Sequence, residues 1–242
     1  MGKLRSSYNL AGIAVLTLLA HAVRAEAQEK VDQLSIHVRI YNMAQIPKSK
    51  LTNARAVAEN VLHRAGVQVF WQECTPKKEV EGLSLDCDSI VQHTDITDIV
   101  VNLIFNLERL APTLHLNALG CSIIPESGAP PTVSYVDYSR VRHLAGSVSF
   151  DAQDLLGFAI VHEIGHLLLG NNSHSFSGIM RSPWRTRDLQ GRYWEDFFFT
   201  IEQAERMRVA VLALNQPKTR SDAPLMAEHV RPGSVNESRR GP

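Results

Sequence analysis

Residues 162–166 read HEIGH, two histidines and a glutamate of the kinds that metal-assisted hydrolysis requires. On a helix, His162 and His166 project from one face a turn apart, so both imidazoles can reach a single Zn²⁺ at about 2.0–2.1 Å. Glu163 then stands beside them, placed to take a proton from water on that metal. Ile164, Leu167, Leu168 and Leu169 make the rest of the segment apolar. Burying two imidazoles and a carboxyl in such a helix without partners is costly. The bland alternative puts these groups on an exposed stripe, or satisfies them with ordinary core hydrogen bonds. Gly170 can adopt the left-handed conformation that turns the chain, and His174 follows four residues later, so a third imidazole can return to the same metal. Gly178, Ile179 and Met180 form a compact apolar segment suited to floor the cluster, although a methionine taken alone reads as core filler.

The elements that must position these residues are legible from periodicity. Residues 34–41 alternate apolar with polar, as a strand with one buried face does. Residues 51–65 carry apolar side chains at helical spacing and end at Gly66, and residues 67–71 alternate again, predicting a parallel strand pair joined through a helix. The nearly continuous apolar run 99–105 predicts a central strand covered on both faces. Shorter strands are expected at 121–124 and 132–136, separated by the loop PESGAPP. A long apolar helix is expected over 151–169, stopped by Gly170. A closing helix is expected over 200–214, opened by a capping box of Thr200 and Gln203. The fold class these imply is α+β.

Composition limits the remaining choices. The 242 residues are 44% hydrophobic, enough for one sizeable core, and the 25 basic residues match the 25 acidic ones, leaving no basic stripe for nucleic acid. Lys3 and Arg5, the apolar run 10–20 and the small residues Ala25 and Ala27 have the layout of a signal peptide over residues 1–27. That run is about half of the ~20 residues a membrane span needs. The expectation is a secreted or periplasmic protein with no stable membrane insertion, a catalytic domain over 28–215 and a polar, disordered tail over 216–242. An oxidising compartment favours a Cys74–Cys87 disulfide around the polar stretch TPKKEVEGLSLD. Cys121 is left over, either as a buried strand cysteine or as a thiolate that caps the metal. His37, His63, His93, His115 and His143 read as ordinary surface or core histidines, and no nucleophile elbow or phosphate loop is present.

HEIGHLLLGNNSH followed by SGIM resembles the zinc helix and Met-turn of the metzincin metallopeptidases, with His174-Ser175 and Ile179-Met180 closest to the matrixin branch. The specific match covers about twenty residues, 161–181. It implies a twisted mixed sheet with a backing helix, a zinc-binding active-site helix and a C-terminal helix. It also implies one catalytic Zn²⁺ held by His162, His166 and His174, with Glu163 as general base and a peptide or protein as substrate. Two departures stand out. The linker from His166 to His174 is two residues longer than the usual pattern, and Ser182 occupies the place of a tyrosine found in some branches. Three neutral ligands leave a coordination position open for water, which points to an exported zinc endopeptidase. Two alternatives stay open: a non-catalytic secreted zinc-binding protein on the same fold, and a gluzincin-type peptidase whose third ligand is Glu195, Glu202 or Glu205. The sequence leaves the oligomeric state and the specificity open, the region of Pro183 and Trp184 being the expected place for a specificity pocket.

Overall fold

A computed structural model describes residues 34–79, 82–86, 97–109, 118–125, 132–184, 189 and 197–216. The expected signal peptide, Cys87, most of the PESGAPP loop and the tail beyond residue 216 lie outside the described residues.

The chain opens with strand β1 (Ser35–Asn42), helix α1 (Lys48–Arg64) and strand β2 (Gln68–Glu79), and β1 and β2 pair in parallel from Ser35 opposite Gln68 to Tyr41 opposite Cys74. Ile36, Val38 and Ile40 are fully buried on one face of β1. Strand β4 (Thr97–Ile104) lies parallel on the other side of β1, so the apolar run is interior to the sheet as expected. Its first half is less covered than the sequence suggests: Asp98 and Val100 are half-buried between buried neighbours. Strands β5 (Gly120–Ile123) and β6 (Val133–Asp137) complete one side, β6 parallel to β4 and β5 antiparallel to β6. Strand β3 (Gly82–Asp86) pairs antiparallel with the second half of β2, giving a six-stranded mixed sheet in the order β3-β2-β1-β4-β6-β5. The stretch after Cys74, expected to be a polar excursion, is therefore strand over much of its length, because backbone groups alone make the ladder.

Helix α2 (Tyr138–Val148) follows β6 directly and was not anticipated. Asp137 makes it possible, accepting hydrogen bonds from the Ser139 and Arg140 amides as N-cap and from the Leu107 amide across the sheet. Helices α3 (Ala152–Leu169) and α4 (Ile201–Leu214) come next, within a residue of their expected limits. Most of the buried apolar side chains from Ile36 to Val211 belong to one cluster. Asn215 ties the end of α4 to the sheet: its side-chain oxygen accepts from the amide and hydroxyl of Thr97, and its side-chain amide donates to the Ser35 carbonyl. The architecture is α+β. Among the described residues no helix is long and apolar enough to cross a membrane.

Candidate metal centre

Helix α3 carries the first three candidate residues, and its ends are fixed by local chemistry. Asp151 accepts a 2.7 Å hydrogen bond from the Gln153 amide at the N-cap, and Gly170, at φ 79°, ends the helix where a side chain would be strained. Between these ends α3 is buried almost all round. A Cβ on Gly157 would lie 2.5 Å from the Ala54 carbonyl oxygen and 2.8 Å from Val57 Cβ, so a bare glycine lets α1 pack directly on the helix. His162 and His166 keep partial exposure on the one face left open.

The three histidines converge. Their ligand atoms lie within 4.8 Å of one another, and this group could hold a metal ion. His162 Nε2 and His166 Nε2 are 3.1 Å apart. The rings of His162 and His174 have centroids 5.3 Å apart and those of His166 and His174 4.7 Å apart, so the longer linker does bring His174 back to the pair. His162 Nδ1 lies 2.8 Å from the Ile179 carbonyl oxygen. A carbonyl only accepts, so Nδ1 carries the proton and the Nε2 lone pair is free to face a cation. Burial pushes the His162 imidazole down to about 4, with His174 adding to the effect against the Ile179 hydrogen bond. Burial, then the neighbouring His162 and His174, push His166 down to about 3, and burial also lowers His174. Three neutral imidazoles at neutral pH are the ligand form a metal needs.

The segment after the histidines is a floor. The Ile179 amide donates to the Phe198 carbonyl at 2.9 Å and the Ser175 amide to the Met180 carbonyl at 3.0 Å, and Gly178 sits at φ 77° where a Cβ would meet the Phe198 oxygen at 2.5 Å. Met180 is fully buried, and a Cβ built on Gly165 would collide with its Sδ and lie 3.0 Å from Phe199 Cε1. Alanine at Gly165 gains about 1 kcal/mol of helix propensity but overpacks a pinned thioether at about 1–3 kcal/mol. Gly165→Ala is expected to lower the denaturant midpoint, and a midpoint equal to or above wild type would mean that Met180 can move aside.

Glu163 faces β5. The Ser122 hydroxyl lies 2.8 Å from Glu163 Oε2 and 2.9 Å from the Glu163 carbonyl oxygen, and a Cβ on Gly120 would meet Oε1 at 2.7 Å. Burial drives this carboxyl up to about 8 against the lowering effect of the Ser122 hydrogen bond, whereas a cation nearby favours the carboxylate. Gly120 and Ser122 were not singled out in the sequence; a Gly-x-Ser strand beside a helix gives no warning of such a contact. Trp184, in the region expected to hold a specificity pocket, has its ring edge-on to His162 with centroids 5.5 Å apart.

Cys74 is disulfide-bonded and Cys121 is a free cysteine on β5. Burial, then the Glu163 charge, push the Cys121 thiol up to about 11, and Cys121 is not part of the histidine group. Glu202 and Glu205 are exposed on α4 and neither joins the histidine group, while Glu195 lies outside the described residues. Compared with known proteins, the sequence matches no family model, and no curated protein matches it.

Proposed function

We propose that this protein is an exported zinc-dependent endopeptidase of metzincin type, holding one Zn²⁺ through His162, His166 and His174. The observation that carries the reading is the convergence of three imidazoles, with the buried Glu163 next in the chain to His162. Two nitrogens bound at about 2.0–2.1 Å with tetrahedral angles stand about 3.3 Å apart, and His162 Nε2 and His166 Nε2 are 3.1 Å apart. Three protein ligands suit a catalytic rather than a structural zinc, since structural sites close with four. Zn²⁺ so held supplies Lewis acidity, making water nucleophilic near neutral pH and polarising a carbonyl. Glu163 takes the proton of the attacking water and returns it to the leaving amine.

A peptide substrate is favoured by the sheet. Strand β5 is the last of its row, its outer edge unpaired among the described strands, and Ser122 of this same strand holds Glu163. An extended peptide added along that edge is carried past the carboxyl by main-chain hydrogen bonds, which suits cleavage within chains. Export is supported by the apolar run at residues 10–20 and by a disulfide at Cys74, which persists in oxidising compartments.

The test is a digest. Protein purified with zinc is expected to carry one ion per chain and to cut a mixed peptide library at internal bonds, with a chelator or a hydroxamate stopping the cleavage. One zinc per chain with an untouched library would replace the peptidase by a zinc-binding protein, and no zinc at all would remove both.

A further inference from the structure

We propose that Ser173 is a positioning residue for His166, and that the long linker between the second and third histidines serves to bring it there. This rests on the zinc reading above. Beyond Gly170 the chain passes Asn171 and Asn172, both exposed, the latter at φ 60°, and His174 is exposed as well. Ser173 alone in this turn is buried, 4% exposed, with its hydroxyl 2.8 Å from His166 Nδ1.

The serine is itself held from α4. Gln203 is buried, and its side-chain amide donates to the Ser173 carbonyl at 3.4 Å and to the Ser175 hydroxyl at 3.1 Å. The Gln203 side chain cannot swing freely, because its Oε1 accepts from the Thr200 backbone amide at 3.1 Å, while the Gln203 backbone amide donates to the Thr200 hydroxyl at 3.2 Å. The capping box of α4 therefore has a second use, anchoring the turn that touches His166. An imidazole that binds a metal through Nε2 carries its proton on Nδ1 and needs an acceptor for it. For His162 the acceptor is the Ile179 carbonyl; for His166 it is the Ser173 hydroxyl oxygen. The two rings are held differently, since a carbonyl admits one tautomer and a hydroxyl, donor and acceptor in one, admits both. Ser173 thus fixes the plane of the His166 ring and accepts the Nδ1 proton that ligation through Nε2 leaves there.

Removing such a partner weakens metal affinity by about 10–100-fold. In competition with a chromophoric chelator, the full chain carrying Ser173→Ala is expected to bind zinc weaker by that factor, and Ser173→Thr, which keeps the hydroxyl, to stay within a few-fold of wild type. ¹⁵N spectra of the histidine side chains in zinc-loaded protein are expected to show the His166 Nδ1 proton protected from water in wild type and exposed in Ser173→Ala, with His162 unchanged. Equal zinc affinity in wild type and Ser173→Ala overturns the role of Ser173 and leaves the metal site standing. Weak wild-type binding that His166→Ala does not lower overturns both. Should Ser173→Ala fail to fold, the wild-type spectrum decides, and a His166 Nδ1 proton exchanging as fast as that of free imidazole overturns the proposal.

Discussion

Glu163→Gln is expected to keep its zinc and to hydrolyse peptides about 10²–10⁴-fold more slowly than wild type, the range that a positioned general acid–base group supplies. The amide matches the carboxyl in shape, so the cradle of Gly120 and the Ser122 hydroxyl can receive it without displacing α3. His162 and His166 stay where the Ile179 carbonyl and the Ser173 hydroxyl hold them, and the metal stays with them. What the amide lacks is the ability to take a proton from water and give it to the departing nitrogen. In barrier terms the loss is about 3–5 kcal/mol, spent on one proton acceptor. Metal analysis and kcat/KM on a single peptide, measured on the same preparation, check both halves. Wild-type turnover in this variant would discard Glu163 as the base and with it the mechanism.

The sequence was most informative where the determinants are local. His162 and His166 could be paired because a spacing of four on a helix fixes their relation, and the limits of α3 follow from Asp151 and Gly170, which act on their immediate neighbours. The capping box of Thr200 and Gln203 was legible for the same reason, and both of its hydrogen bonds are present. Helix α2 went unread although Val141, Ala145 and Val148 make a buried stripe behind the Asp137 cap, because the preceding strand and the helix meet without any turn residue. Strand β3 went unread because its neighbourhood is polar, and pairing requires only backbone groups. The contacts that finish the site were beyond reach. Ser122 and Glu163 are 41 residues apart in the chain and meet only because α3 lies against β5. Ser173 is seven residues from His166, past a turn whose path is set by Gln203 on another helix.

His174→Ala is expected to weaken zinc binding by about 10²–10³-fold while leaving the metal-free fold close to wild type. The size follows from the binding energy of a four-ligand zinc, about 10–16 kcal/mol, which divides to about 3–4 kcal/mol for each ligand. The specificity of the effect follows from location. His162 and His166 emerge from the core helix, and replacing either also opens space against buried neighbours. His174 is exposed on the turn, and substitutions at such positions usually change stability by no more than about 0.5 kcal/mol. The variant therefore separates ligation from folding in a way that the other two cannot. Added zinc stabilises a protein in proportion to the logarithm of concentration over Kd. The thermal shift produced by zinc in wild type is accordingly expected to shrink sharply in His174→Ala, while the two proteins melt together in a chelator. A variant that holds one zinc as tightly as wild type would transfer the third position to another group, with Glu195 the first to examine by Glu195→Gln. Loss of zinc in that second variant and not in His174→Ala would turn the three-histidine site into one of two histidines and a glutamate.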